Sequence, residues 1–327
     1  MGQGRMTSKT VSVGKYRALQ RTSTAEGIFT ILALDHQDSL RRAMNPSAPL
    51  SVTFDHLEKF KSQVIRSLAI ETSGVLLDPV LGAAQAIQGN YLGTAGLLVE
   101  LEKADYQLRP MPQNVEVLGS WSVEKIKRMG SDGVKLFFYY NPDLDALTTA
   151  QDEFIERVVS ECGRYDIPLF AEPILLPTDD TAGFARNFTR QLIETAQRIE
   201  KLGVDVLKLE FPISRALEAD EKTQREACEA LTNTIEVPWV LLSAGVDFDT
   251  YCQQVEIACS AGASGYMAGR AVWGEAARIQ DTVQRLEWLE VTGRKRLSIL
   301  AEKAGGGTAW MTKLSCQSVS TEWYATY

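Results

Sequence analysis

Eight short apolar runs recur along the chain at near-even spacing, each followed by a longer amphipathic stretch. This alternation limits the possible folds more than any other feature. The runs cover residues 29–34, 74–78, 96–100, 133–138, 168–172, 204–209, 238–243 and 264–268. They are short, rich in Val, Leu, Ile and Phe, and punctuated by Gly or Pro, as strands are. Most of the intervening segments carry helical periodicity, for example Phe54, Leu57, Phe60, Lys61 and Val64, or Leu192, Ala196 and Ile199. Strands that alternate with helices pair in parallel through right-handed crossovers, and eight such units close into a (β/α)8 TIM barrel, an α/β fold. An open doubly wound sheet is the competing architecture, but no Gly-x-Gly-x-x-Gly follows the first run. No linker rich in Pro, Ser or Gly is long enough to divide the chain. The expected organisation is a flexible N-terminal segment over 1–22, a single barrel over 23–304, and a C-terminal tail over 305–327 that begins at Gly305-Gly306-Gly307.

Charge and composition exclude several function classes. The formal charge is 34 − 42 = −8. An acidic surface argues against nucleic acid or an anionic membrane as the main partner, while a local cationic pocket for a small anion remains compatible with it. No apolar run reaches the ~18 residues of a membrane span. The five cysteines are scattered without a CxxC pair and fit a reducing compartment, and the two histidines cannot make a three-histidine metal site. Residues 1–20 contain no apolar leader core, so the expected location is cytoplasmic. Trp288, Trp310 and Trp323 in the last segments suggest an exposed aromatic face and a homo-oligomer.

In a barrel of this type the chemistry sits at the C-terminal ends of the strands, and the reactive residue types fall there. Asp35 and His36 end the first run, Asp78 the second and Glu172 the fifth; Lys135 lies within the fourth and Lys208 within the sixth. Lys208 stands in an apolar run, Val204-Asp-Val-Leu-Lys208-Leu-Glu210. A desolvated lysine loses its proton more easily, which frees the amine to attack a carbonyl. Its head could instead pair with Glu210. Strand alternation places Lys208 and Lys135 on the barrel side, with Leu207, Leu209, Val134 and Leu136 toward the helices. Ser243-Ala244-Gly245 and Gly269-Arg270 follow the last two runs, where such barrels often hold a phosphate on backbone N–H groups and a cation.

Those motifs, taken together, resemble the class I aldolases of the tagatose 1,6-bisphosphate aldolase type and their relatives that cleave sulfofructose phosphate. The resemblance covers about residues 27–290. It rests on Leu32-Ala-Leu-Asp-His36, Asp132-Gly-Val-Lys-Leu-Phe137, Ala171-Glu-Pro173, Val204-Asp-Val-Leu-Lys-Leu-Glu-Phe-Pro212, Leu242-Ser-Ala-Gly-Val246 and Ala268-Gly-Arg-Ala-Val-Trp273. It implies that Lys208 forms a Schiff base with a ketose phosphate, that Glu172 is the acid/base group, and that Asp35 and Lys135 contact substrate hydroxyls. Gly245, Gly269 and Arg270, with Ser243 and Ala244, would hold the C1 phosphate, and no metal or other cofactor is implied. The family commonly reads Asp-Gln-Arg where this chain has Asp35-His36-Gln37, so His36 and Gln37 stand where an arginine is missing. Tyr327 matches the C-terminal tyrosine of the fructose-bisphosphate class I enzymes only as a lone residue.

The residues leave other readings open. A related Schiff-base lyase or transaldolase would keep Lys208 on a different carbon skeleton, such as 6-deoxy-6-sulfofructose 1-phosphate. A metal-dependent lyase would gather Asp35, Asp78 and Glu172 around Mg²⁺. A sugar-phosphate sensor would bind without turnover.

Overall fold

A computed structural model describes residues 8–103, 115–178, 180–325 and 327; the expected N-terminal segment therefore lies outside the described residues up to position 7. In chain order the elements are β1 (Lys9–Val11), α1 (Val13–Thr22), β2 (Phe29–Leu34), α2 (Asp38–Met44), α3 (Phe54–Leu68), β3 (Gly74–Leu77), α4 (Ala83–Gln88), β4 (Gly96–Glu100), α5 (Val123–Arg128) and β5 (Gly133–Tyr140). There follow α6 (Asp145–Arg164), β6 (Leu169–Leu175), α7 (Thr181–Lys201), β7 (Val206–Leu209), α8 (Glu221–Thr234), β8 (Trp239–Leu242), α9 (Phe248–Ser260), β9 (Gly265–Ala268), α10 (Arg270–Trp273), α11 (Thr282–Trp288), α12 (Arg294–Ala304) and β10 (Leu314–Cys316). Strands β2 to β9 close into a parallel barrel in sequence order, one strand in each of the eight apolar runs.

Two strands outrun their sequence limits. β5 and β6 stay paired from Val134↔Leu169 to Tyr140↔Leu175, which raises one wall above the barrel mouth. β7 starts later than its run, and Val204 joins the helix-facing cluster instead. Elsewhere alternation holds. Phe29, Ile31, Leu76, Leu98, Phe170, Val206, Val240 and Met267 fill the interior, while Leu32, Leu34, Val134, Leu136, Leu207 and Leu209 pack outward onto the helices. The lower barrel is thus apolar, and polar side chains occupy only its upper layer.

The described residues before 23 and after 304 close the bottom of the barrel, which corrects for them the expected flexible segment and separate tail. β1 and β10 pair in parallel, Lys9↔Leu314 to Val11↔Cys316. With Leu19 of α1 and Trp310 they join the interior cluster from below. Trp310 is fully buried, donates from Nε1 to Ser23 Oγ at 2.9 Å, and packs edge-on against Tyr16. Two aspartates from the recurrent motifs anchor this floor. Asp205 Oδ2 accepts from Lys15 Nζ at 2.8 Å and from the Leu169 N–H at 2.9 Å. Asp132 accepts from Arg21 Nε and from the Leu97 N–H. Tyr327 also docks here, its hydroxyl accepting from the Gly14 N–H at 2.9 Å, at the opposite end of the barrel from the strand C-termini.

The three C-terminal tryptophans do not form an exposed face. Trp310 is buried, and Trp288 packs on the core under Arg296, with 5.1 Å between guanidinium and ring; Trp323 is half-buried against Tyr327. No described helix is long and apolar enough to cross a membrane. If the C-terminal chain is part of the folding unit, Trp310→Ala should cost about 3–5 kcal/mol, as large core truncations do. Urea denaturation followed by circular dichroism measures this, and an unchanged midpoint would make the floor dispensable.

Candidate active site

Lys135 and Lys208 rise from the interior faces of β5 and β7 into a layer of carboxylates. β4 and β5 are in register at Glu100↔Lys135, and β5 and β6 at Phe137↔Glu172, so acids from neighbouring strands reach the same level. Lys135 Nζ lies 2.5 Å from Glu102 Oε1, 2.9 Å from Asp35 Oδ2 and 3.1 Å from Glu172 Oε2. Lys208 Nζ lies 2.9 Å from the same Glu172 oxygen. The lysine therefore pairs with Glu172 rather than Glu210, which instead accepts from the Leu175 N–H at 3.2 Å. One carboxylate oxygen between two lysine nitrogens is the centre of the site.

The electrostatics follow from this packing. Burial lowers the affinity of Lys135 for its proton, but Glu102, Asp35, Glu172 and Glu100 reverse the effect and hold it well above the usual lysine range. Burial pushes Asp35 up, yet Lys135, Lys208 and His36 keep it well below the usual carboxylate range. Glu100 and Glu102 are both raised by burial, Glu100 further by repulsion from Glu102 and against the pull of Lys135. The layer thus contains ionised acids and acids that favour their neutral form. Glu210 is pushed up to about 7, chiefly by burial, with the Leu175 N–H and Arg215 opposing and Glu172 adding to it.

A cavity of ≈ 280 Å³ opens above this layer. Its lining contains Asp35, His36, Gln37, Lys135, Glu172, Lys208, Ser243, Ala244, Gly269 and Arg270, so the expected residues converge apart from Gly245. Gly245 stands just behind: with φ +78° it closes a turn in which the Val246 N–H donates to Ser243 O, and a Cβ there would sit 2.8 Å from Arg270 Nη2. Glycine at 245 is therefore what lets the guanidinium lie flat on the turn. The Gly269 N–H faces Ser243 Oγ at 3.4 Å, and a Cβ at 269 would meet His36 Cε1 at 2.8 Å. His36 is packed edge-on against Trp273, with Nδ1 3.3 Å from Asp35 Oδ1. Burial lowers its pKa, Asp35 opposes, and Arg270 and Lys208 add to the lowering. A neutral imidazole wedged there does not replace the charge of the missing arginine.

Two other candidates take structural places. Asp78, read as a strand-end reactive group, is saturated: Oδ1 accepts from Val80 N, Leu81 N and Gln37 Nε2, while Oδ2 pairs with the fully buried Lys61. Asp78 does not line the cavity beside Asp35 and Glu172, and among the described residues no group of three His, Cys, Asp or Glu has metal-holding geometry. The sequence reading missed Glu100, Glu102, Tyr139 and Arg215 and took Glu210 only as a partner for Lys208; all five are in the cavity wall. Glu100 carried a signal, an acid at the end of an apolar run. Glu102 and Arg215 stand in connecting chain whose path no periodicity reveals.

Comparisons with known proteins agree with the geometry. The model of the family described as DeoC/LacD family aldolase matches residues 29–275. Tagatose 1,6-diphosphate aldolase 1 of Enterococcus faecalis is 30% identical over 312 residues, covering 89% of this chain and 95% of that protein. Tagatose 1,6-diphosphate aldolase of Staphylococcus haemolyticus is 29% identical over 326 residues, 93% of this chain and 100% of that one. Among solved structures, fructose-bisphosphate aldolase from Plasmodium falciparum superposes with a TM-score of 0.70 at 13% identity, covering 94% of this chain and 99% of that one. A Corynebacterium glutamicum protein superposes with a TM-score of 0.62 at 17% identity, covering 89% and 91%. These two structures attest the fold.

The titration of Glu210 gives a test of the site's electrostatics. A carboxyl whose pKa is raised from 4.5 to about 7 on folding keeps its proton in the fold after the unfolded chain has lost it. The folded state binds more protons across that window, so stability falls as pH rises from 4.5 to 7. Glu210→Gln removes this slope. The stability of wild type relative to Glu210→Gln should drop by up to about 3 kcal/mol between pH 4.5 and 8, as read by urea denaturation at each pH. A difference independent of pH would mean that Glu210 titrates normally.

Proposed function

This chain belongs to the DeoC/LacD family of aldolases, which are carbon–carbon lyases, and on that premise we propose that it cleaves a ketose bisphosphate, tagatose 1,6-bisphosphate, through a Schiff base on Lys208. The products are dihydroxyacetone phosphate and glyceraldehyde 3-phosphate. The observation that carries this reading is the shared oxygen of Glu172, 2.9 Å from Lys208 Nζ and 3.1 Å from Lys135 Nζ. The substrate comes from the tagatose 1,6-diphosphate aldolases similar along most of this chain.

The neutral amine of Lys208 adds to the C2 ketone, and the carbinolamine loses water to give a cationic iminium. Glu172, 2.9 Å from that nitrogen, is placed to deliver the proton that water carries away. The iminium then accepts the electron pair of the C3–C4 bond. As that bond breaks, Glu172 takes the proton of the C4 hydroxyl and the aldehyde leaves. The remaining enamine is protonated at C3, and water releases dihydroxyacetone phosphate and the free amine. No metal takes part.

The other residues hold this sequence in place. Charged Lys135 fixes Glu172 and Asp35 and faces the substrate hydroxyls, so no carboxylate has to reorganise when charge moves. Ser243, Ala244, Gly245, Gly269 and Arg270 bind the C1 phosphate beside Lys208, and that remote contact orients the C2 carbonyl. His36 braces the Gly269 turn, and Gln37 lines the wall toward the distal end.

Two assays test the proposal. Purified enzyme should release dihydroxyacetone phosphate from tagatose 1,6-bisphosphate, measured in a coupled dehydrogenase assay, with the same rate after EDTA treatment. Glu172→Gln should lower kcat by roughly 10²–10⁴ with a smaller effect on KM, the usual range for a general acid–base. Loss of activity with EDTA, or a Glu172→Gln variant at wild-type kcat, would contradict the mechanism.

A further inference from the structure

Two guanidinium groups flank the same short turn at the cavity rim, and only one of them belongs to the motifs of the sequence. Arg270 lies against Gly245. Arg215 of the loop after β7 donates from Nη2 to the carbonyl oxygen of the neighbouring Ala244. Ala244 has φ +48° and Gly245 φ +78°, so both residues of the turn are in the left-handed region. Both arginines line the cavity above Lys208.

Among the described residues neither arginine makes an ion pair; the carboxylates that act on them, Asp35 on Arg270 and Glu210 on Arg215, do so from beyond contact distance. Among the described residues the buried Arg270 Nε has no hydrogen-bond partner, and Arg215 repels Arg270. Two cations side by side in a partly desolvated pocket are unfavourable unless an anion sits between them. A single arginine suffices for a monoanion. A phosphate monoester at neutral pH carries close to two negative charges and three acceptor oxygens, enough for two planar forks.

We propose that Arg215 is a second phosphate-binding residue, closing with Arg270 on the C1 phosphate and making the site selective for a dianion. This rests on the Schiff-base reading of the same site. Arg215 is exposed and held only by the Ala244 carbonyl among the described contacts, so it can exchange that bond for a phosphate oxygen without disturbing the core. The strained turn then has a second use, since it keeps the Ala244 carbonyl aimed at the arginine while no ligand is bound.

The test compares iminium trapping by sodium borohydride with dihydroxyacetone phosphate and with dihydroxyacetone, which shares the reacting carbonyl but lacks the phosphate. Intact mass gives the concentration for half-maximal adduct formation with each. The preference for the phosphorylated ketone should fall at least tenfold in Arg215→Ala and partly recover in Arg215→Lys, which restores charge without the fork. An unchanged preference in both variants, with adducts still formed, would overturn the role of Arg215 and leave the lyase reading intact. No adduct on wild type with either ketone would overturn both. Equal weakening toward the two ketones, with no recovery in Arg215→Lys, would assign Arg215 to holding the loop rather than to phosphate.

Discussion

The ammonium of Lys135 is the interaction on which the upper barrel depends. It touches Glu102, Asp35 and Glu172, carboxylates that lie in or just after three different strands, at 2.5 to 3.1 Å. Without it, those acids would face one another in a largely buried layer, where unpaired charge is strongly destabilising. With it, each acid is held at a fixed place and Glu172 is turned toward Lys208. Stability and chemistry here share one set of contacts. The two lysines are placed differently: Lys135 is surrounded by acids and keeps its charge, whereas Lys208 shares one oxygen and faces the open cavity, as the proposed nucleophile must.

The layer below makes this arrangement possible. Large apolar side chains fill the barrel up to the level of Val206, Val240 and Met267, and the β1–β10 ribbon, Leu19 and Trp310 seal it from beneath. Water then reaches the charged layer only from the mouth. The floor also lends meaning to motif residues without chemistry of their own. Asp132 and Asp205 sit just before strand starts and tie α1 to the barrel, so these motif residues serve architecture rather than chemistry.

The barrel was legible in the sequence because each of its strands is buried on both faces, which forces a short apolar run, and because the runs alternate with amphipathic helices. Asp35, Lys135, Glu172 and Lys208 were legible for the same reason, as charges inside or at the end of such runs. Asp78 fits that rule equally well, yet it serves as the partner of Lys61; a buried acid at a strand end does not reveal which lysine will meet it. The floor was not legible, since β1 and β10 are three residues each and pair across most of the chain length. Nor was the place of Arg215, whose contact with the turn at Ala244 and Gly245 no local pattern announces.

The central claim is that the amine of Lys208 becomes covalently joined to the substrate ketone. The most direct measurement is peptide mapping of the protein after borohydride reduction in the presence of dihydroxyacetone phosphate, with Lys208→Ala in parallel. The account predicts one reduced adduct on the peptide that contains Lys208 and none on the variant. An adduct that persists in Lys208→Ala, on Lys135 or elsewhere, would contradict it.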